Sequence, residues 1–215
     1  DAENLHHIRR VLRTTGEPTI NVSQGNGQVL TCTLSIHDLI EKVSDEVYSF
    51  PRSIRVSLIQ PGIKRKNLEF LVQKVTEIGV DSLSFIASSY QNFPVESTDK
   101  LLKIAENACV QSKNPWLPDL QKIKGDLLSF SYKPDTLYIW GDPDEEFGIE
   151  KISSADLQSF SEVCFINGCE GGWSPAEVEF LKNRFRSVRL SDNVLRTETA
   201  AVVAVSYLKN LIRDL

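Results

Sequence analysis

Between Leu30 and Ile36 the chain alternates strictly: Leu30, Cys32, Leu34 and Ile36 are apolar, and Thr31, Thr33 and Ser35 between them are polar. A period of two predicts a strand with one buried and one wet face. Gly25-Asn26-Gly27, a turn that supplies positive φ, joins it to Asn21-Val22-Ser23, so Ile20 to Ile36 reads as a hairpin in a small β unit. Residues 1–50 are too few for a large core of their own, and Tyr48-Ser49-Phe50-Pro51 reads as the linker to a larger second domain.

After Pro51 the period lengthens. Ile54 to Ile59 predicts a strand, and Leu68, Leu71, Val72, Val75 and Ile78 then recur at helical spacing up to Gly79, a natural C-terminal cap. Leu83 to Ala87 predicts a second strand. Asp99 to Ser112 predicts a second helix with Leu101, Leu102, Ala105 and Ala108 inward, ended by Asn114-Pro115. Strands at Thr136 to Trp140, Val163 to Ile166 and Ser187 to Leu190 alternate with helices near Ser154 to Phe160 and Pro175 to Phe185. The second of these helices opens on Ser174-Pro175-Ala176-Glu177, a capping box with proline at the first helical position. A last helix, Thr197 to about Arg213, is apolar around most of its girth from Ala200 to Val205, which predicts packing on several sides, and Thr197 reads as its N-cap. Strand and helix alternation over residues 51–215 predicts an α/β domain with a mainly parallel sheet.

Composition narrows the class. A hydrophobic fraction of 41% and a charged fraction of 25% describe a soluble globular protein. No apolar run approaches the roughly 20 residues of a membrane span, and no signal-peptide pattern opens the sequence, so a cytoplasmic location is expected. Cys32, Cys109, Cys164 and Cys169 form no C-x-x-C pair, and zinc-type spacings are missing among the 3 histidines, which predicts free, buried thiols and no metal. The net charge of -5 excludes a uniformly basic surface, yet base is clustered at Arg9, Arg10 and Arg13, at Arg52, Arg55, Lys64, Arg65 and Lys66, and at Lys182, Arg184, Arg186 and Arg189. One such cluster is as readily a solvated face; three together point to a polyanion.

In open α/β sheets ligands collect beyond the carboxyl ends of strands, so the loops after Trp140, Ile166 and Leu190 are where chemistry is expected. Asn167-Gly168-Cys169-Glu170-Gly171-Gly172-Trp173-Ser174 carries three glycines in five positions, which lets backbone approach a ligand closely; it is neither a Walker loop nor a Rossmann fingerprint. Leu195-Arg196-Thr197-Glu198-Thr199-Ala200 runs a charged turn into an apolar helix, with Glu198 well placed against the helix dipole. Each alone is equally a tight turn or a well-made helix start.

Together these two loops resemble the signature loops of the RsmE family, bacterial enzymes that methylate N3 of a uridine in small-subunit ribosomal RNA. His6-His7-Ile8-Arg9-Arg10-Val11-Leu12-Arg13, Gly16 and Gly25-Asn26-Gly27 resemble that family's N-terminal PUA-like RNA-binding domain. Gln73-Lys74-Val75-Thr76-Glu77-Ile78-Gly79-Val80 is similar to its first catalytic-domain helix, and Gln111-Ser112 to a motif in its second. The resemblance implies a small PUA-like β-barrel over residues 1–50. Residues 51–215 would be a SPOUT-type α/β domain whose C-terminal segment threads a loop to form a trefoil knot. It implies S-adenosyl-L-methionine as cofactor, 16S ribosomal RNA as substrate and a homodimer.

The same resemblance places Gly141, Asn167, Gly168, Cys169, Glu170, Gly171, Gly172, Leu190, Val194 and Leu195 around the cofactor, with backbone groups reading adenine and ribose. Methyl transfer to a uracil imide needs the N3 proton removed and the resulting negative charge held. Glu198 is the candidate to act as base or to position the uracil edge, and Arg196 the candidate anion stabiliser; the other reading of Arg196 is a structural ion pair with Glu198 or Glu170. Arg9, Arg10, Arg13, Lys64, Arg65 and Lys66 would follow the RNA backbone. Against the family pattern, Cys169 stands where proline is usual, Ser191 and Asn193 where glycine and arginine are usual, and Val110, Lys113 and Asn114 where glutamate, glycine and arginine are usual. These departures bear on RNA contacts and target choice. They keep open a SPOUT enzyme acting at another RNA position, and a catalytically impaired RNA-binding relative.

Overall fold

A computed structural model describes residues 16–35, 37, 40–49 and 53–214. The chain divides into two compact units, Asp1–Pro51 and Arg52–Leu215.

The described part of the first unit is a three-stranded antiparallel sheet of β1 (Thr19–Ser23), β2 (Gln28–Leu34) and β3 (Ile40–Ser49), in that order. Gly25 and Gly27 take φ 78 and 83 in the turn joining β1 to β2, the left-handed region that glycine enters without steric cost. Cys32 and Leu34 are buried, as period two requires. Tyr48 and Ser49, read from sequence as linker, instead extend β3 and pair with Val29 and Gln28. Ile40–Ser49 mixes acids with apolar residues and offers no clean alternation, which is why the strand escapes notice in the sequence.

The second unit is built on a six-stranded sheet. Its strands are β4 (Arg55–Pro61), β5 (Ser82–Ala87), β6 (Asp119–Asp126), β7 (Thr136–Gly141), β8 (Glu162–Ile166) and β9 (Arg186–Val188), in the order β6-β5-β4-β8-β7-β9. Every pairing is parallel. The central β8 is buried along its whole length, and β4 along all but its first residue, because strands covered on both faces read as continuous apolar runs.

Helices α1 (Arg65–Ile78) and α2 (Asp99–Ser112) lie on one face with α5 (Thr197–Leu211). Leu71, Val72 and Val75 of α1 and Ala201, Ala204, Val205 and Leu208 of α5 join Leu58, Val163 and Phe165 of the sheet in the larger core. Gly79 caps α1 at φ 97. Short helix α3 (Ser154–Leu157) follows β7, and α4 (Pro175–Lys182) lies on the opposite face, where Leu181 meets Ile59, Tyr138, Trp140, Cys164 and Ile166. All four cysteines are free and buried.

Several expected boundaries move. Leu102 is exposed, since α2 turns only Leu101, Ala105, Ala108 and Cys109 inward. The helix near Ser154 closes after Leu157, where Phe160 N–H donates to the Leu157 carbonyl, and α4 stops at Lys182 rather than Phe185. The last strand ends at Val188, so Leu190 stands in the loop beyond it. β6 has only Leu120 and Ile123 half-buried on an otherwise wet edge, too little apolar pattern to predict a strand.

Candidate active site

The carboxyl ends of β4, β8 and β7 meet the segment after β9, and between them lies a cavity of about 690 Å³. That volume suits a small-molecule ligand. Gly141, Asn167, Gly168, Cys169, Glu170, Gly172, Leu190, Val194, Leu195, Arg196 and Glu198 all line it. The expected loops therefore converge. Gly171 does not line the cavity; a Cβ there would lie 3.0 Å from both Cβ and the carbonyl oxygen of Tyr90, so it is glycine for close packing with the loop after β5.

The loop after β8 is held by its own atoms. Asn167 N–H continues the ladder by donating to the Ile59 carbonyl at 2.9 Å, and Gly172, at φ 72, donates to the Cys169 carbonyl at 3.0 Å. Cys169 Sγ donates to the Gly172 carbonyl at 3.4 Å and accepts from Ser88 Oγ at 3.7 Å. A buried thiol thus stitches the turn at the position where the resemblance leads one to expect proline. Ser174 and Glu177 form the expected capping box at the start of α4, and Glu177 Oε1 also accepts from Ser89 N–H at 2.8 Å. A Cβ on Gly141, which lines the cavity, would come within 3.2 Å of Phe165 Cζ, a tight contact that glycine avoids.

The second loop enters α5 through Arg196, not Thr197. Arg196 is the N-cap with extended backbone and makes no side-chain capping bond, while Thr197 is the first helical residue. Asn167 Nδ2 donates to the Thr197 carbonyl at 2.9 Å, which ties this first turn to the loop after β8. Glu198 lies in the first turn, where the helix N-terminus favours negative charge. Its Oε2 is buried and has no hydrogen-bond partner among the described residues. A carboxylate oxygen removed from water without a donor is unfavourable by several kcal/mol of desolvation at the outside, on the order of 1–3 in measured proteins. The wall is therefore complementary to a donor or a cation. Arg196 is exposed and has no ion pair among the described residues, so the structural-pair reading fails; Glu170 Oε1 accepts instead from Lys64 N–H at 3.0 Å.

Sequence reading missed several cavity residues. Asp142 and Lys182 face each other across it at 3.6 Å, and Trp140, Trp173 and Asn67 add to the lining. In the sequence Asp142 is one member of an acidic run with Asp144, Glu145 and Glu146, and Trp140 only the end of a strand. The third basic cluster is largely engaged at the surface: Lys182 meets Asp142, Arg186 meets Asp156 at 3.0 Å and Arg189 meets Asp192 at 3.6 Å, while Arg184 lies 4.3 Å over the Phe180 ring and keeps its charge. Lys64, Arg65 and Lys66 are exposed at the start of α1, with Arg65 paired to Glu69 at 2.9 Å. The carboxyl of Glu69 is held below the ordinary carboxylate range by bonds from Lys100 and Arg65. Arg9, Arg10, Arg13 and Arg52 lie outside the described residues.

Known proteins share this architecture. The ribosomal RNA small subunit methyltransferase E 2 of Borreliella burgdorferi is 23% identical over all of this chain and 91% of its own length. The ribosomal RNA small subunit methyltransferase E of Rickettsia conorii is 24% identical, covering 97% of this chain and 87% of that protein. A crystal structure of a ribosomal RNA small subunit methyltransferase E from Neisseria gonorrhoeae bound to S-adenosyl methionine superposes with TM-score 0.81 at 22% identity, over 97% of this chain and 89% of that one. The profile of the RNA methyltransferase domain matches residues 51–209, the whole of the sheet and the cavity described above, and the chain belongs to that family.

Proposed function

We propose that this protein is an S-adenosylmethionine-dependent methyltransferase that modifies N3 of a uridine in 16S ribosomal RNA. The observation that carries the reading is the buried, unpartnered carboxylate oxygen of Glu198 in the wall of a cavity assembled from three strand-end loops. The cavity fits the cofactor chemically. Leu190, Val194 and Leu195 offer apolar wall to an adenine, Asp142 adds a carboxylate for the cofactor's cationic groups, and Gly141 and Gly168 keep the backbone accessible. When bound, S-adenosylmethionine supplies an electrophilic methyl group on cationic sulfur.

The chain's own residues then divide the work. Glu198 accepts the N3 proton of the uracil imide, a role worth about 10²–10⁴-fold in rate for a well-placed base. Arg196, exposed beside it, holds the imide oxygen as negative charge develops. Lys64, Arg65 and Lys66 neutralise phosphates at the cavity edge, and Arg9, Arg10 and Arg13 of a PUA-like first unit bind RNA backbone as well. The three-stranded antiparallel sheet supports the PUA-like reading. The path from β9 through residues 189–196 back to α5, which packs on α1 and β4, supports a knotted C-terminal segment. The same reading makes the enzyme a cytoplasmic homodimer, and no helix among the described residues is long and apolar enough to cross a membrane.

Mass spectrometry of small-subunit RNA from a deletion strain tests the proposal. One uridine is expected to lose its methyl group, and complementation to restore it. Loss of a methyl group at a different position supports a SPOUT relative with another target, and an unchanged RNA removes the reading.

A further inference from the structure

Two buried side-chain amides join the loops that line the cavity. Gln60, at the end of β4, is 0% exposed, and Asn167, first residue after β8, is 4% exposed. Asn167 Nδ2 donates to Gln60 Oε1 at 2.6 Å and to the Thr197 carbonyl at 2.9 Å. Gln60 Nε2 donates to the Pro61 carbonyl at 2.8 Å and to the Gly168 carbonyl at 3.2 Å. Each NH₂ group has two hydrogens, and all four are used. The orientation of both amides follows from the partners: flipping Gln60 would set its oxygen against two carbonyl oxygens and its NH₂ against that of Asn167.

We propose that Gln60 and Asn167 are positioning residues that fix the glycine loop and the Glu198 turn relative to each other. Resting on the methyltransferase reading, this makes Asn167 an organiser of the cofactor loop rather than a donor to the cofactor, since its side chain has no hydrogen left to give. Gln60 holds the Gly168 carbonyl, Asn167 holds the Thr197 carbonyl, and the bond between the two amides closes the chain. Glu198 is the next residue along. Its unpartnered oxygen is held in the cavity wall by packing and by this link, not by a partner of its own. Placement of the loop that receives the cofactor and placement of the base are consequently one event.

Gln60→Leu removes the link while keeping apolar bulk at a buried site, and Gln60→Glu keeps the acceptor for Asn167 but aims a carboxylate at two carbonyls. The first measurement needs no cofactor. Amide hydrogen exchange in Gln60→Leu must accelerate in both Gly168 to Trp173 and Leu195 to Ala200; acceleration in only one loop, or in neither, overturns the coupling. The second is calorimetric S-adenosylmethionine affinity together with single-turnover methyl transfer. Gln60→Leu is expected to weaken cofactor binding and slow transfer, each about tenfold, with the KM for RNA unchanged. Gln60→Glu is expected to recover transfer as pH is lowered, because a protonated carboxyl again donates to the Gly168 carbonyl, a recovery that the unsubstituted enzyme does not show. Wild-type affinity and rate in a folded Gln60→Leu protein refute the proposal. Failure of the unsubstituted protein to bind S-adenosylmethionine refutes the cofactor reading instead, and the exchange measurement still decides the link.

Discussion

Glu198 and Arg196 are two residues apart and differ in what surrounds them, so their substitutions separate. Glu198 has an oxygen buried without a partner, and replacing it with glutamine supplies an NH₂ where the cavity wall holds an acceptor. Glu198→Gln is expected to cut methyl transfer by about 10²–10⁴-fold while calorimetry shows an intact cavity still able to bind S-adenosylmethionine. Arg196 is exposed and unpaired among the described residues, so Arg196→Ala leaves stability within about 0.5 kcal/mol yet slows transfer by about 10²-fold or more. Full methylation by the alanine variant would withdraw Arg196 from the chemistry. Both residues stand out in the sequence because charge there interrupts an apolar helix start. Gln60 does not. It sits inside an apolar strand run, and only the parallel pairing of β4 with β8 brings it to Asn167, across more than a hundred residues of chain.

At the scale of elements, α2 ends on a strained residue. Lys113, the C-cap, has φ 57, a left-handed conformation that glycine adopts freely and lysine does not. Lys113→Gly is expected to stabilise the protein by about 0.5–1 kcal/mol, raising the thermal midpoint by about 1–4 °C; a fall would show that the lysine side chain contributes more than its backbone strain removes. Short helix α3 makes a second testable contribution. Asp156 accepts from the N–H and hydroxyl of Ser153 at 2.9 and 2.7 Å and from Arg186 at 3.0 Å, which holds its carboxyl at about 2. A folded-state value below the unfolded one makes its stabilisation complete above the ordinary aspartate range and progressively lost as pH falls through about 2. Thermal midpoints measured from pH 5 to pH 2 should therefore decline less steeply in Asp156→Asn. The long periodic elements α1, α2 and β8 were legible because burial on one or both faces writes a period into the sequence. β3 and β6 were not, since an edge or charged strand is fixed by its neighbour's hydrogen bonds rather than by its own pattern, and the caps at Lys113 and Arg196 carry no cap-forming side chain to read.

For the molecule as a whole, a net charge of -5 means that binding to RNA cannot come from overall charge and must come from where base is left unneutralised. Three basic clusters in the sequence reduce to fewer once the fold pairs them: the cluster at residues 182–189 is engaged by Asp142, Asp156, Asp192 and the Phe180 ring. Lys64 and Lys66 remain exposed beside the cavity, with no ion pair among the described residues. Each phosphate that a cation neutralises releases condensed counterions, so the logarithm of the binding constant falls with the logarithm of salt concentration by about 0.7–0.9 per contact. Fluorescence anisotropy of a small-subunit RNA fragment across a potassium chloride series should give a shallower slope for Lys66→Ala, by about one contact, and the same slope as the unsubstituted protein for Arg186→Ala, whose guanidinium is paired with Asp156. Equal slopes for all three proteins would place the RNA track elsewhere on the chain. A shallower slope for Arg186→Ala alone would mean that RNA competes successfully with Asp156 for that guanidinium, and that the cluster counted as paired is a binding face after all.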